Sequence, residues 1–365
     1  IKAITLNDNF DLNIKNTSEF ISNARVNDFF NWQISSIVWK FLNLQYIEAD
    51  QNLIKKNEYL SKIKIINKDI KRFQDKKNNV IKNLFLMLYN LLPEPDIIFY
   101  MALLNRKGLI FFFIMSRFKI GPFFFPKTIN YLDKNFYLRE KIFNFRSKSK
   151  VENIICLGLF KYLPTSIIEE YEEKVYTAKK RIKNKGYPKI IINGWGELIS
   201  DLFSIWSAEC FNKSAKIYRI QHGGGVGELV GNEEMIIKTS FKYLTWGWSS
   251  KGLKNAIPFF AARLFLNKKL FNFKRILVSS KILWIGTSDS RFCYQLAPRP
   301  IASQYIQYFN NQLKLAKSLD KKISNKVLFR PSFEDLGWDY KNNIEEISNY
   351  VRIDNFKHSL EELVE

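Results

Sequence analysis

Between Pro188 and Thr245 the chain alternates short β-branched runs with a helix-length segment, and this alternation restricts the fold more than any other feature. Lys189-Ile-Ile-Ile192 reads as a strand, Asn193-Gly-Trp-Gly196 as a turn, and Glu197 to Asn212 as a helix. Ala215 to Ile220 and Phe241 to Thr245 read as two further strands. Parallel neighbours need a long crossover, so strand, helix and strand in succession imply a parallel sheet with helices on its faces. Ligands of such sheets bind outside the carboxyl ends of the strands. One of the chain's two histidines stands at such an end, in Gln221-His222-Gly223-Gly224-Gly225-Val226-Gly227.

The flanking regions extend the pattern. Helical spacing runs from Thr17 to about Tyr46, from Leu53 to Phe73 and from Val80 to Leu92, where Pro93-Glu-Pro95 stops it. Asp96 to Met101 reads as a short buried strand, residues 108–146 are aromatic and ambiguous, and Pro164 to Lys185 reads as a helix. A second series follows. Lys281 to Ile285 is a strand entering Gly286-Thr-Ser-Asp-Ser-Arg291, Ile301 to Leu319 a helix, and Asn325 to Phe329 a strand entering Arg330-Pro-Ser. The expected architecture is α/β with two Rossmann-like domains, residues 1–270 and 271–365. The first Met is missing and the last residues stop inside a helical pattern, so the second domain is expected to be truncated at its C-terminus.

Composition narrows the partners. Hydrophobic residues make up 46%, enough to build a core and to argue against global disorder. The net charge of +22 asks for a polyanionic neighbour. Nucleic acid, an anionic membrane surface and phosphorylated donors all qualify, but no recognisable nucleic-acid motif is present. The densest basic run, Lys55 to Lys77, has nine Lys/Arg against Glu58, Asp69 and Asp75. It suits a solvated helix face or a face on anionic headgroups, where each charge contributes about 1 kcal/mol. The apolar run Leu109 to Met115 is too short to span a bilayer, which takes about 20 residues. Cys156, Cys210 and Cys293 are odd in number and not at metal-ligand spacing, which fits a reducing cytoplasm.

Several residues are candidates for chemistry. His222 can take or give a proton near neutral pH. Glu197 and Asp201, four apart at the start of one expected helix, would share a face and supply a carboxylate base or nucleophile. Gln221 and the turn glycines Gly223, Gly224 and Gly225 could cradle an anion with backbone N–H groups. In the second series Ser288, Arg291 and Arg330 follow strand ends, where a nucleotide's phosphates would bind. No Gly-x-x-x-x-Gly-Lys-Ser/Thr loop, Asp-x-Asp pair, His/Cys cluster or Gly-x-Ser-x-Gly elbow occurs, so neither a resident metal nor a cofactor is expected.

Three segments together carry a resemblance: Asp201-Leu-Phe-Ser-Ile-Trp206-Ser-Ala-Glu209, Gln221-His222-Gly223-Gly224-Gly225-Val226-Gly227, and Tyr243-Leu-Thr-Trp-Gly-Trp248. Further on come Ser303-Gln-Tyr-Ile-Gln-Tyr308, Arg330 and Glu334-Asp335-Leu-Gly-Trp338. From near Pro188 to Tyr340 the chain resembles transferases encoded in O-antigen and other surface-polysaccharide gene clusters of spirochaetes and other bacteria. Val226 departs from the tyrosine usual there. The resemblance implies a metal-independent, GT-B-like glycosyltransferase related to enzymes of CMP-activated acidic sugars. Its donor would be a nucleotide-activated sugar and its acceptor a lipid-linked glycan. It would act in the cytoplasm, peripheral at the inner membrane face, with an anionic membrane surface as a neighbour and no nucleic acid. Transfer of a polyol phosphate from a CDP-activated donor is the neighbouring chemistry; a non-catalytic basic nucleic-acid-binding protein is the alternative from another class.

Overall fold

The computed structural model describes residues 3–5, 14–48, 87, 89, 91–102, 106–124, 137–223, 232–261, 281–288, 291–292, 303–332, 338, 341–357, 360 and 363. The expected helix Leu53–Phe73 and the basic run Lys55–Lys77 lie outside these residues, as do Gly224 and Gly225.

A short parallel pair, β1 (Ala3–Thr5) beside β2 (Tyr46–Glu48), is joined by α1 (Thr17–Val26) and α2 (Asp28–Phe41). The single helical region expected up to Tyr46 is therefore two helices parted at Asn27, which is buried, followed by a strand. Next come β3 (Ile97–Tyr100), α3 (Arg106–Met115), β4 (Ile120–Pro122), α4 (Tyr137–Asn144), α5 (Lys150–Tyr162) and α6 (Tyr171–Lys185). The aromatic stretch that was ambiguous in sequence thus holds a helix, an edge strand and a further helix. Helix α6 starts seven residues later than Pro164. The N–H groups of Thr165 and Ser166 donate instead to the carbonyls of Ile14 and Lys15, which holds that segment in turns.

The clear alternation then follows: β5 (Ile190–Asn193), α7 (Gly196–Ile199), α8 (Asp201–Phe211), β6 (Lys216–Ile220), α9 (Asn232–Lys238), β7 (Lys242–Trp246) and β8 (Ala256–Phe259). The chain goes on through β9 (Ile282–Ile285), α10 (Gln304–Ser318), α11 (Lys321–Ser324), β10 (Val327–Arg330), α12 (Lys341–Ser348) and β11 (Arg352–Ile353).

Two compact units divide these elements. The first comprises Ile1–Asn23, Phe29–Gly224 and Glu234–Phe259. Its six-stranded sheet has the order β4-β3-β5-β6-β7-β8, and every pairing is parallel. This is a Rossmann-like arrangement. From β3 the chain moves to β4 on one side, then returns to β5 on the other. The switch point therefore lies between β3 and β5, in register from Ile97↔Ile190 to Tyr100↔Asn193. The core of this unit places Ile98, Ile191 and Ile217 of the sheet against Phe203, Trp206 and Cys210 of α8 and Ala178 of α6. Burial pushes the Cys210 thiol above its ordinary range, so it stays protonated.

A buried ionic network supports this core. Arg181 of α6 meets Glu94 through Nε and Nη2, both at 2.7 Å, and the Tyr89 hydroxyl donates to the same carboxylate at 3.0 Å. The guanidinium also lies 5.0 Å over the Phe123 ring and 5.5 Å over Trp206. Burial alone would lower the pKa of Arg181, but its bonds to Glu94 outweigh that and hold it above the usual value. Burial, reinforced by Glu94, pushes the Tyr89 hydroxyl upward.

The second unit comprises Ala24–Asp28, Gly225–Glu233 and Phe260–Glu365. Its sheet is β11-β10-β9, again parallel. Val327 and Phe329 pack with Ala316, Ile347 and Val351 as its core, with Trp284 against Phe329 at 4.5 Å. Among the described residues no helix is long and apolar enough to cross a membrane.

Candidate functional site

The first unit's site is built from the carboxyl ends of β5, β6 and β7. After β5 the chain turns through Asn193-Gly194-Trp195-Gly196. Both glycines are forced by close approach. A Cβ on Gly194 would fall 2.2 Å from the Met101 carbonyl oxygen, and one on Gly196 would fall 2.1 Å from the Tyr100 ring. Asn193 is fully buried, and its Oδ1 accepts from the N–H of Gly196 at 2.8 Å, starting α7. Its Nδ2 donates to Glu197 Oε2.

Glu197 is an ion-paired carboxylate. Its other oxygen receives Arg219 Nε at 2.9 Å. Arg219, on β6, also donates to Ser240 Oγ at 3.0 Å and to the Ile236 carbonyl at 3.3 Å. Asn193 and Arg219 thus fix the loop between β5 and α8, and neither was a candidate from sequence. An arginine within the apolar strand Lys216-Ile-Tyr-Arg-Ile220 was the one available signal.

Asp201 does not share a helix with Glu197, contrary to expectation. Ser200, with extended backbone at φ −137°, separates α7 from α8, and its hydroxyl caps α8 by accepting from the N–H of Phe203 at 3.2 Å. Asp201 accepts instead from the Ser166 hydroxyl and from the N–H of Thr17, at 3.2 Å for the latter. It holds the start of α1 and forms no hydrogen bond with His222 or Glu197 among the described residues.

His222 follows β6 by two residues. Its ring lies against Trp195 at 5.1 Å between centroids, tilted by 49°. The residue is exposed by area, but enough water is displaced around the imidazole that desolvation lowers its pKa below the ordinary value. It is therefore neutral at pH 7 and able to accept a proton. No hydrogen bond to it is formed among the described residues.

Gln221 works in the opposite way: it is buried and saturated. Its N–H donates to the Leu244 carbonyl and its Nε2 to the Gly223 carbonyl at 2.8 Å. Its Oε1 accepts from the N–H of Trp246 at 2.8 Å and from the indole of Trp248 at 2.9 Å. The side chain joins the turn after β6 to the end of β7, so Gln221 shapes the glycine turn; it is not a free ligand group. The Trp246 indole N–H is buried with no acceptor among the described residues.

The tryptophans of the two sheets divide in two. Trp195, Trp246 and Trp248 belong to this edge, whereas Trp206 and Trp284 are core residues.

In the second unit, a small opening beside the loop after β9 is lined by Gly286, Thr287, Gln312, Phe329, Ser332 and Asn343, among others. The Tyr308 hydroxyl accepts from the N–H of Thr287 at 3.1 Å and from Gln312 Nε2 at 2.8 Å. Ser288 Oγ is buried, with no hydrogen-bond partner among the described residues. Arg291 is exposed, with its guanidinium 5.8 Å from the Phe292 ring. Arg330 ends β10 and pairs with Asp354 at 3.0 Å, beneath the Phe356 ring at 5.1 Å. Among the described residues no group of His, Cys, Asp and Glu could hold a metal ion.

A parallel sheet whose carboxyl edge carries a neutral imidazole, a fixed carboxylate and, beside the switch point, the Gly194–Gly196 turn has the form of the ligand-binding frame of Rossmann-like α/β proteins. The whole chain, residues 1–365, matches the LIC12162 family of transferases, and it belongs to that family. The match extends well beyond the Pro188–Tyr340 stretch that carries the sequence resemblance. No curated protein and no solved structure matches the chain.

Proposed function

We propose that this transferase is a glycosyltransferase that moves a sugar from a nucleotide-activated donor, of the CMP-linked acidic kind, to a lipid-linked precursor of a surface polysaccharide. The observation that carries the reading is the neutral imidazole of His222, set against Trp195 at the carboxyl edge of the sheet. Such a group accepts the proton of an acceptor hydroxyl as its oxygen bonds to the anomeric carbon and the sugar–phosphate bond breaks. Trp195 offers a flat apolar face beside the reacting ring. Glu197, held by Arg219 and Asn193, keeps that loop in place. In the second unit, taken by itself, Ser288, Arg291 and Arg330 are the proposed phosphate-binding residues, since an arginine pairs well with a phosphate's charge. The reading needs no metal or cofactor and sets the reaction on the cytoplasmic side of the membrane.

The test is a thermal-shift screen of the full-length protein against CMP-, CDP- and UDP-activated sugars, followed by a transfer assay. A donor at about 100 times its Kd stabilises the native state by about 2.7 kcal/mol, so the correct nucleotide stands out. Products that retain the phosphate would replace the reading with polyol-phosphate transfer. Absence of response to every nucleotide would remove it.

A further inference from the structure

Helix α3 carries apolar side chains on two opposite sides. Phe113 points inward: it is 2% exposed, packs on Phe118 at 5.0 Å and Tyr89 at 5.7 Å, and lies over Gly121, where a Cβ would come within 2.7 Å of its ring. The other side bears Phe111, Ile114 and Met115, which are 60%, 59% and 66% exposed, with Phe118 exposed beyond the helix end. Phe111, Ile114 and Met115, at i, i+3 and i+4, share one face of the helix, with Ile110 and Phe112 exposed at its margins. Core packing accounts for Phe113 but not for the outer face. A contiguous exposed apolar surface of this kind marks an interaction site.

Along the sequence, the segment that holds this helix carries charge of one sign. Residues 97–132 contain Arg106, Lys107, Arg117, Lys119 and Lys127 and no Asp or Glu. Arg106 and Lys107 begin the helix; Arg117 and Lys119 are exposed just past its end. A second copy of the chain would bring like charges together across a two-fold contact, which disfavours self-association. The helix of 10 residues reaches only about 15 Å, half the hydrocarbon thickness of a bilayer. It can lie in the interface but cannot span. An apolar aromatic face with basic flanks is the chemistry of a helix lying in the headgroup layer of anionic lipid.

We propose that α3 is a membrane-docking helix: Phe111, Ile114, Met115 and Phe118 enter the acyl boundary of an anionic bilayer while Arg117 and Lys119 meet its phosphates. The inference does not depend on the transfer reading and names a different surface from the Lys55–Lys77 run.

Flotation of the full chain with vesicles of phosphatidylglycerol and phosphatidylcholine, against phosphatidylcholine alone, tests it. The protein is expected to float with the anionic vesicles only. Phe111→Ser with Ile114→Ser lowers the partition coefficient at least about tenfold, since each buried apolar side chain is worth that much. Arg117→Glu with Lys119→Glu lowers it at least about fivefold per position. Both variants change exposed residues, so their thermal midpoints stay at the wild-type value. Three results would overturn the proposal: no flotation with anionic vesicles, flotation unaffected by either double variant, or sedimentation showing a dimer that the apolar variant dissolves. His222→Ala protein still floats, which separates failure of docking from failure of transfer.

Discussion

At the scale of single residues the site rests on two neighbours with opposite tasks. His222 is left open while Gln221 beside it is saturated, so substitutions at the two positions report different things. His222→Ala is expected to lower the transfer rate about 10²-fold or more without moving the thermal midpoint, since a positioned general base is worth about that much. The sign of its pH dependence follows from the depressed pKa. The imidazole stays neutral to below the ordinary value of 6.5, so the acid limb of the rate profile lies under that pH and disappears in the alanine variant. Gln221→Leu behaves as a stability variant. It strips the acceptor from the Trp246 N–H and the Trp248 indole, and a buried unsatisfied donor costs about 1–3 kcal/mol, readable by urea denaturation. A Gln221→Leu protein of full stability would contradict the hydrogen-bond assignment.

At the scale of elements, the sequence located β3, β5, β6, β7, β9 and β10 to within a residue or two, because β-branched runs bounded by Pro, Asn and Gly have few other uses, but it missed β4, β8 and β11, all at sheet edges. The candidate site was legible in part. His222 and the turn after β5 could be read directly. The break at Ser200 could not, since apolar spacing continues through it and only the hydroxyl's cap on Phe203 ends one helix and starts the next. The partners of the charged candidates also escaped. Glu197 meets Arg219 at a separation of 22 residues, and Arg330 meets Asp354 across the step from β10 to β11. Pairing at such distances is fixed by sheet order, which no local pattern encodes. The loop between β5 and α7 carries its own prediction. Gly196→Ala forces a methyl into the Tyr100 ring and is expected to cost about 1–3 kcal/mol, displacing Trp195 with it. A lowered melting temperature together with weakened donor binding checks this; wild-type values for both would show that the ring moves aside freely.

At the scale of the whole molecule, stability and chemistry occupy different parts of the first unit. The Glu94–Arg181 pair is fully shielded, with side chains 0% and 7% exposed. Removing one partner leaves a bare buried charge, so Arg181→Met is expected to destabilise by about 3–5 kcal/mol, seen as a shifted chemical denaturation midpoint. Replacement of both partners by apolar residues is expected to recover much of that loss, because desolvation of the pair offsets most of its attraction. The net charge of +22 is scattered along the chain, and the segment that holds α3, residues 97–132, carries basic residues and no acidic one.

One consequence of the Gln221 latch is optical. Indole emission responds to the polarity and bonding at its N–H, and the latch couples the Trp248 indole through a single amide to the carbonyl of Gly223. A ligand that presses on the glycine turn pulls on that amide and changes the colour of Trp248 fluorescence. With eight tryptophans in the chain, the contribution is isolated by subtracting the Trp248→Phe spectrum. The protein therefore carries its own dye for occupancy of the turn, and a titration free of added label can follow it.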